Sequence, residues 1–159
     1  MFKILKNTFL VVILGIFISA CSTTAKKSSS KSVAAGDVYT GTDTVKYLAT
    51  GVADRVFFAT NSTGLTSAAK ATLTKQSGYI KSSKISVVIE GHADERGTRE
   101  YNLALGERRA NAARDYLMAK GVAKSSIKVI SYGKERPANT DSSKLAWSQN
   151  RRSVTVKAN

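Results

Sequence analysis

The apolar run Ile85-Ser-Val-Val-Ile89 gives way at Gly91 to a turn-rich, charged segment, and a long helical pattern follows. This succession of strand, turn and helix constrains the fold most. Such a strand is buried on at least one face, and the helix after it has to cover that face. The helix reads from about Arg99 to Lys120, with Thr98 as N-cap and Gly121 as its stop. Leu103, Gly106, Ala110, Ala113 and Leu117 form its core stripe. Asn102, Leu105 and Arg109 share another line of the helix, so Arg109 leans back toward the loop that carries Asp94. Loops at strand ends beside a helix N-terminus are common ligand sites in α/β folds. Opposite charges facing one cleft suit a zwitterionic ligand. The residues alone equally allow a plain ion pair tying the loop to the helix.

The remaining elements follow from pattern. Val56-Phe57-Phe58 reads as a first strand, 60–64 as a turn, and 67–81 as a helix with Ala69, Leu73 and Ile80 on one side. Ile127 to Tyr132 reads as a strand, Leu145 to Gln149 as a short helix, and Arg152 to Lys157 as a last strand. Two strand–helix–strand units predict an α/β sandwich with its helices on one face of a mixed sheet.

The N-terminus reads as an export signal. Lys3 and Lys6 precede an apolar run from Phe9 to Ile18, too short to span a bilayer comfortably, and small residues then lead to Cys21. Residues 1–20 are therefore expected to be cleaved. Ile18-Ser-Ala-Cys21 resembles a bacterial lipobox, which makes Cys21 the expected lipidation site. Residues 21–52, rich in Ser, Thr, Lys, Ala and Gly, are expected to form a flexible tether, with Val45, Tyr47 and Leu48 as candidates to touch the domain edge. The domain proper is expected over 53–159. The net charge is +14, from 25 Lys and Arg against 11 Asp and Glu. That suggests an anionic surface or a well-solvated Lys-rich one, and no nucleic-acid or zinc-site signature accompanies it. One Cys excludes an intrachain disulfide. His92 reads as a loop hydrogen-bonding residue rather than a metal ligand, and Trp147 and Tyr132 as core or edge aromatics.

The twenty residues 91–110, GHADERGTREYNLALGERRA, together with SYGKERP at 131–137 and NRR at 150–152, resemble the OmpA-like peptidoglycan-binding superfamily over about 54–157. The resemblance implies a β-α-β-α-β-β sandwich, with helices on one face of a mixed four-stranded sheet. It implies a non-catalytic outer-membrane lipoprotein that holds the diaminopimelate of peptidoglycan. Asp94 would take the ammonium and Arg109 the carboxylate, through a fork that Lys cannot imitate. Asn102, Leu105 and Ala110 complete the helix pattern. Phe58, Ala59 and Thr60 stand where relatives offer backbone contacts, and Arg151 and Arg152 match a pair near the pocket. The resemblance further implies a TolB-like propeller and other Tol-Pal components as partners, with Glu95, Arg96, Gly97 and Thr98 as contacts. No cofactor is implied. Relatives often carry acidic residues where this chain has Ala59-Thr60-Asn61, and Pro where Arg99 stands. Two other readings are a wall-active enzyme using acids of the 90–100 loop and a non-specific basic surface binder. The Arg side chains around those acids lower carboxylate pKa values and disfavour a general acid.

Overall fold

The computed structural model describes residues 35–158, so the signal and Cys21 lie outside the described residues. Strands β1 (Tyr47–Ala49) and β2 (Val52–Ala53) pair as a small hairpin. The main elements follow as β3 (Arg55–Phe57), α1 (Ser67–Ser83), β4 (Val87–His92), α2 (Arg99–Ala119), β5 (Ile127–Gly133), α3 (Lys144–Asn150) and β6 (Arg152–Lys157). The four-stranded sheet runs β3-β6-β4-β5. β4 and β5 are parallel, joined by α2 as crossover, while β6 is antiparallel to both β3 and β4. The expected mixed sheet and helix order are those observed.

Local chemistry sets the helix limits. Thr66 accepts the amide of Ala69 at 3.1 Å to start α1, and Lys84 ends it in the left-handed region at φ 51°. Thr98 does the same for α2 through Tyr101 N at 3.2 Å, and Gly121 at φ 86° turns the chain out. Val87 and Ile89 of β4 join Leu73 and Ile80 of α1 and Ala110, Ala113 and Leu117 of α2 in one core. Burying each large aliphatic side chain contributes roughly 1.5–3 kcal/mol before entropy is counted. The helix stripe differs from expectation at one end, where Leu105 is buried and Leu103 only half-buried.

Within the stretch expected to be flexible, Tyr39 and Leu48 are packed against the domain while most residues between them stay exposed, so Leu48 touches the domain as anticipated and Tyr39 does so unexpectedly. The Tyr39 ring meets Phe57 edge-on at 4.8 Å, Leu48 is buried in the core, and Asp54 N donates to the carbonyl of Lys46. A few well-placed apolar side chains offset the ordering entropy of an otherwise polar segment. Tyr47 stays exposed.

Candidate functional site

The parallel register of β4 and β5 breaks between Gly91 and His92. This irregularity re-aims the chain at the strand end, and Ala93 N then bonds the carbonyl of Gly133 at 2.8 Å. Asp94 follows, 7 % exposed. It forms the floor of a cleft of about 280 Å³ whose wall includes Thr60, Asn61, Arg96, Asn102, Leu105 and Arg109.

Arg109 reaches the cleft from α2, yet it does not pair with Asp94. Its side chain is fully buried, and each of its three nitrogens donates to a main-chain carbonyl: Nε to Ser62 at 3.0 Å, Nη1 to His92 at 2.8 Å and Nη2 to Ala59 at 3.1 Å. The ion pair that the residues alone allowed is therefore not formed. Burial, and then the neighbouring Arg151, hold the Arg109 pKa down at about 10, so it is charged at neutral pH.

Asp94 is instead held by two other arginines. Arg96 binds it through Nε at 3.0 Å and Nη2 at 2.7 Å, and its amide adds a third bond at 3.2 Å. Arg151, 1 % exposed, approaches from beneath at 3.4 Å. Burial raises the Asp94 pKa, but the hydrogen bonds and charge of Arg96 with that of Arg151 outweigh it and hold the carboxyl below its ordinary range. Arg96 lies over the Trp147 ring at 4.3 Å, and the Trp147 indole donates to Glu95 Oε1 at 2.8 Å. Lys134 Nζ pins the same loop through the carbonyls of Glu95 and Gly97. The exposed stretch Glu95-Arg96-Gly97-Thr98 is thus clamped beside the cleft.

Several expected contacts play other parts. Phe58 and Ala59 do not line the cleft; their carbonyls bind Arg151 Nε and Arg109 Nη2 from inside. Ala110 is core, against Gly91. Arg152, the first residue of β6, turns away to the carbonyls of Asn150 and Arg136, whereas Arg151, at the end of α3, reaches Asp94. Asn102 lines the cleft and donates to the carbonyl of Arg96 at 2.8 Å. Pattern reading missed Asp37, whose carboxylate takes Arg151 Nη2 at 2.8 Å and the amide of Thr60 at 2.7 Å. It also missed the bond from the Tyr101 hydroxyl to Asn61.

His92 is not a loop donor. It is 1 % exposed at the end of β4, and neither ring nitrogen finds a hydrogen-bond partner among the described residues. Glu90 Oε2 lies 3.6 Å from Nε2, which would favour the charged ring. Burial and the charges of Arg152, Arg55 and Arg136 prevail and lower the pKa to about 3, so the contact is not an ion pair at neutral pH. Because the unfolded ring titrates near 6.5, its contribution to stability is complete above that pH and is lost as pH falls toward the folded value. Thermal melts should therefore lose about 3 kcal/mol between pH 6.5 and 4 from this ring alone. His92→Asn should flatten that slope, and parallel slopes for both proteins would rule the ring out as its source.

A profile of the OmpA family matches residues 57–151. A peptidoglycan-associated lipoprotein of Mesorhizobium japonicum is 56 % identical over 106 residues, which cover 66 % of this chain and 63 % of the relative. The protein of the same name from Rhizobium meliloti is 55 % identical over 106 residues, 66 % of this chain and 60 % of the relative. The chain thus spans about three fifths of the length of these curated relatives. The crystal structure of the peptidoglycan-associated lipoprotein from Burkholderia pseudomallei superposes with a TM-score of 0.64 at 38 % identity, covering 66 % of this chain and 90 % of that one. With its strand order, its clefted β4–α2 junction and these matches together, the chain belongs to the OmpA family.

Proposed function

We propose that the chain is a non-catalytic anchor that binds the diaminopimelate-containing stem of peptidoglycan in the Asp94–Arg109 cleft. The observation that carries this reading is the state of Arg109. It is a fully buried cation bordering an open cleft, bonded to carbonyls but to no carboxylate among the described residues. A guanidinium has five N–H donors, and three of them are satisfied by those carbonyls. A ligand carboxylate would accept the rest and supply the missing counter-charge. The ligand ammonium would take the place of the Arg96 guanidinium on Asp94. The names of the matched relatives, peptidoglycan-associated lipoproteins, agree with this chemistry.

Lipidation at Cys21 would hold the other end of the chain in the outer membrane, so that lipid and wall are joined through one polypeptide. The mass of the mature protein tests this part, since an unmodified Cys21 would contradict it. The exposed Glu95–Thr98 stretch, pinned by Lys134 and Trp147, is the surface we assign to a TolB-like partner within a Tol-Pal assembly. An enzyme reading has less support, because Asp94 is held below its ordinary pKa and is a poor proton donor at neutral pH.

Co-sedimentation with purified sacculi tests the cleft. Asp94→Asn keeps the size of the side chain and removes its charge, so wall binding should weaken roughly tenfold or more, the worth of a charged hydrogen bond. Release of soluble fragments from the wall would instead favour an enzyme.

A further inference from the structure

On the other side of β6 from Asp94, a second cleft of about 380 Å³ opens between residues 43–46, the start of β3 and Arg152. Its donors are unusually free. Arg152 is 6 % exposed and its Nε has no hydrogen-bond partner among the described residues, although Nη1 and Nη2 reach main-chain carbonyls. The hydroxyl of Thr44, on the same wall, is also buried and has no partner among the described residues. Arg55 spends Nε and Nη2 on Asp54, which leaves Nη1, and Lys46 forms no ion pair among the described residues. The acids at the rim and behind it are engaged: Asp43 accepts Gln149 Nε2 at 2.8 Å, and Asp54 takes Arg55 and the amide of Lys46.

We propose that this cleft is a binding site for a phosphate-type oxyanion, held by Arg152 Nε, the Thr44 hydroxyl, Arg55 Nη1 and Lys46 Nζ. A buried polar group without a partner costs about 1–3 kcal/mol, more when charged, and here a guanidinium N–H and a hydroxyl share one cavity. Burial and then Arg55 hold the Arg152 pKa down at about 10 against the pull of Glu90 and Asp54; a bound anion supplies the compensation that the protein lacks. Four donors from three separate segments suit an anion with three or more oxygens better than a flat carboxylate with two. The phosphate can be free or can belong to a lipid headgroup, and the site chemistry is the same for both.

The test is an NMR titration of the full-length, 15N-labelled chain in detergent, following the Arg152 Nε–H and Thr44 signals. Inorganic phosphate should shift both saturably. Thr44→Val and Lys46→Gln should each weaken binding roughly threefold to tenfold, the worth of one hydrogen bond. Thr44→Val should not lower the melting temperature, since it replaces an unpartnered hydroxyl by a methyl group. Sacculus binding should be unchanged in both variants, which separates this site from the Asp94 cleft. Soluble short-chain phosphatidylglycerol that competes with phosphate for the same shifts would make a headgroup the source; no competition would leave free phosphate. The proposal is overturned if phosphate gives no saturable shift, if the shifts survive both substitutions, or if acetate binds as tightly.

Discussion

Gly91→Ala should lower the stability of the domain by about 3 kcal/mol or more, which corresponds to a melting temperature ~10 °C or more below the parent. The cause is the close approach of β4 and α2. A Cβ on Gly91 would overlap the carbonyl oxygen of Gly106 and stand 3.2 Å from the Ala110 Cβ. Both neighbours are held in place, Gly106 by the helix backbone and Ala110 within the core, so the strand and helix must separate. Separation opens voids beside Ile89 and Ala113 and also tilts Arg109, three residues after Gly106, away from the cleft. Gly106→Ala should cost less. Its added Cβ would stand 2.9 Å from the Gly91 carbonyl oxygen and meet the Ser131 hydroxyl, which can rotate away by giving up its 2.7 Å bond to the carbonyl of Leu103. Gly78 is the internal control, since it lies in α1 with none of the described residues within 4 Å of the place an added Cβ would take. Gly78→Ala should stabilise by about 0.5–1 kcal/mol through helix propensity. Differential scanning calorimetry orders the three. A Gly91→Ala melt within a degree or two of the parent would mean that the β4–α2 contact is looser than these positions indicate.

This contact explains why the scaffold was legible in the sequence. Thr98 and Gly121 each act within a few residues of their own position, by capping and termination, so local pattern captures them. The alternation of Val87 and Ile89 likewise marks one buried face. The pairing inside the site was not legible, because it depends on which of several charges arrive from distant segments. Arg151 and Asp37 are 114 positions apart, and nothing in their spacing announces the 2.8 Å contact. Asp94 had seven arginines within the motifs at 91–110, 131–137 and 150–152 to choose from; Arg96 wins because a turn two residues on brings its amide and its guanidinium to the same carboxylate. Arg151 and Arg152 looked equivalent as a pair, but the chain passes from the end of α3 into β6 between them, and one reaches Asp94 while the other lines the cleft beside Thr44. The expected tether hid Asp37 and Tyr39, though not Leu48, because composition averages over a segment, whereas three side chains suffice to dock it.

Arg109→Lys should abolish measurable co-sedimentation with sacculi, whereas Arg96→Ala should preserve or strengthen it. Lys carries the same charge but only one nitrogen, and it cannot reach the carbonyls of Ser62, His92 and Ala59 together while offering a paired contact to a carboxylate. The loss of even one charged hydrogen bond is worth about 1.5–3 kcal/mol, or roughly tenfold to hundredfold in affinity. Three inward bonds also rest on this side chain, so circular dichroism on the same samples must show a folded domain for the result to count against binding alone. Arg96 acts in the opposite sense. In the free protein it already fills the cationic position on Asp94 through two bonds, so a ligand ammonium has to displace it. Its side chain is 42 % exposed, which limits the displaced pair to about 1 kcal/mol, or roughly fivefold. Removing its side chain leaves Asp94 with the residue-96 amide at 3.2 Å and Arg151 at 3.4 Å, and frees the positions that the guanidinium held. The two variants therefore separate a cleft that exchanges an internal cation for the ligand ammonium from a merely basic surface. On a basic surface both substitutions would weaken wall attachment, Arg109→Lys least, because it conserves charge. Equal losses for Arg96→Ala and Asp94→Asn would instead make Arg96 a ligand contact and end the exchange mechanism.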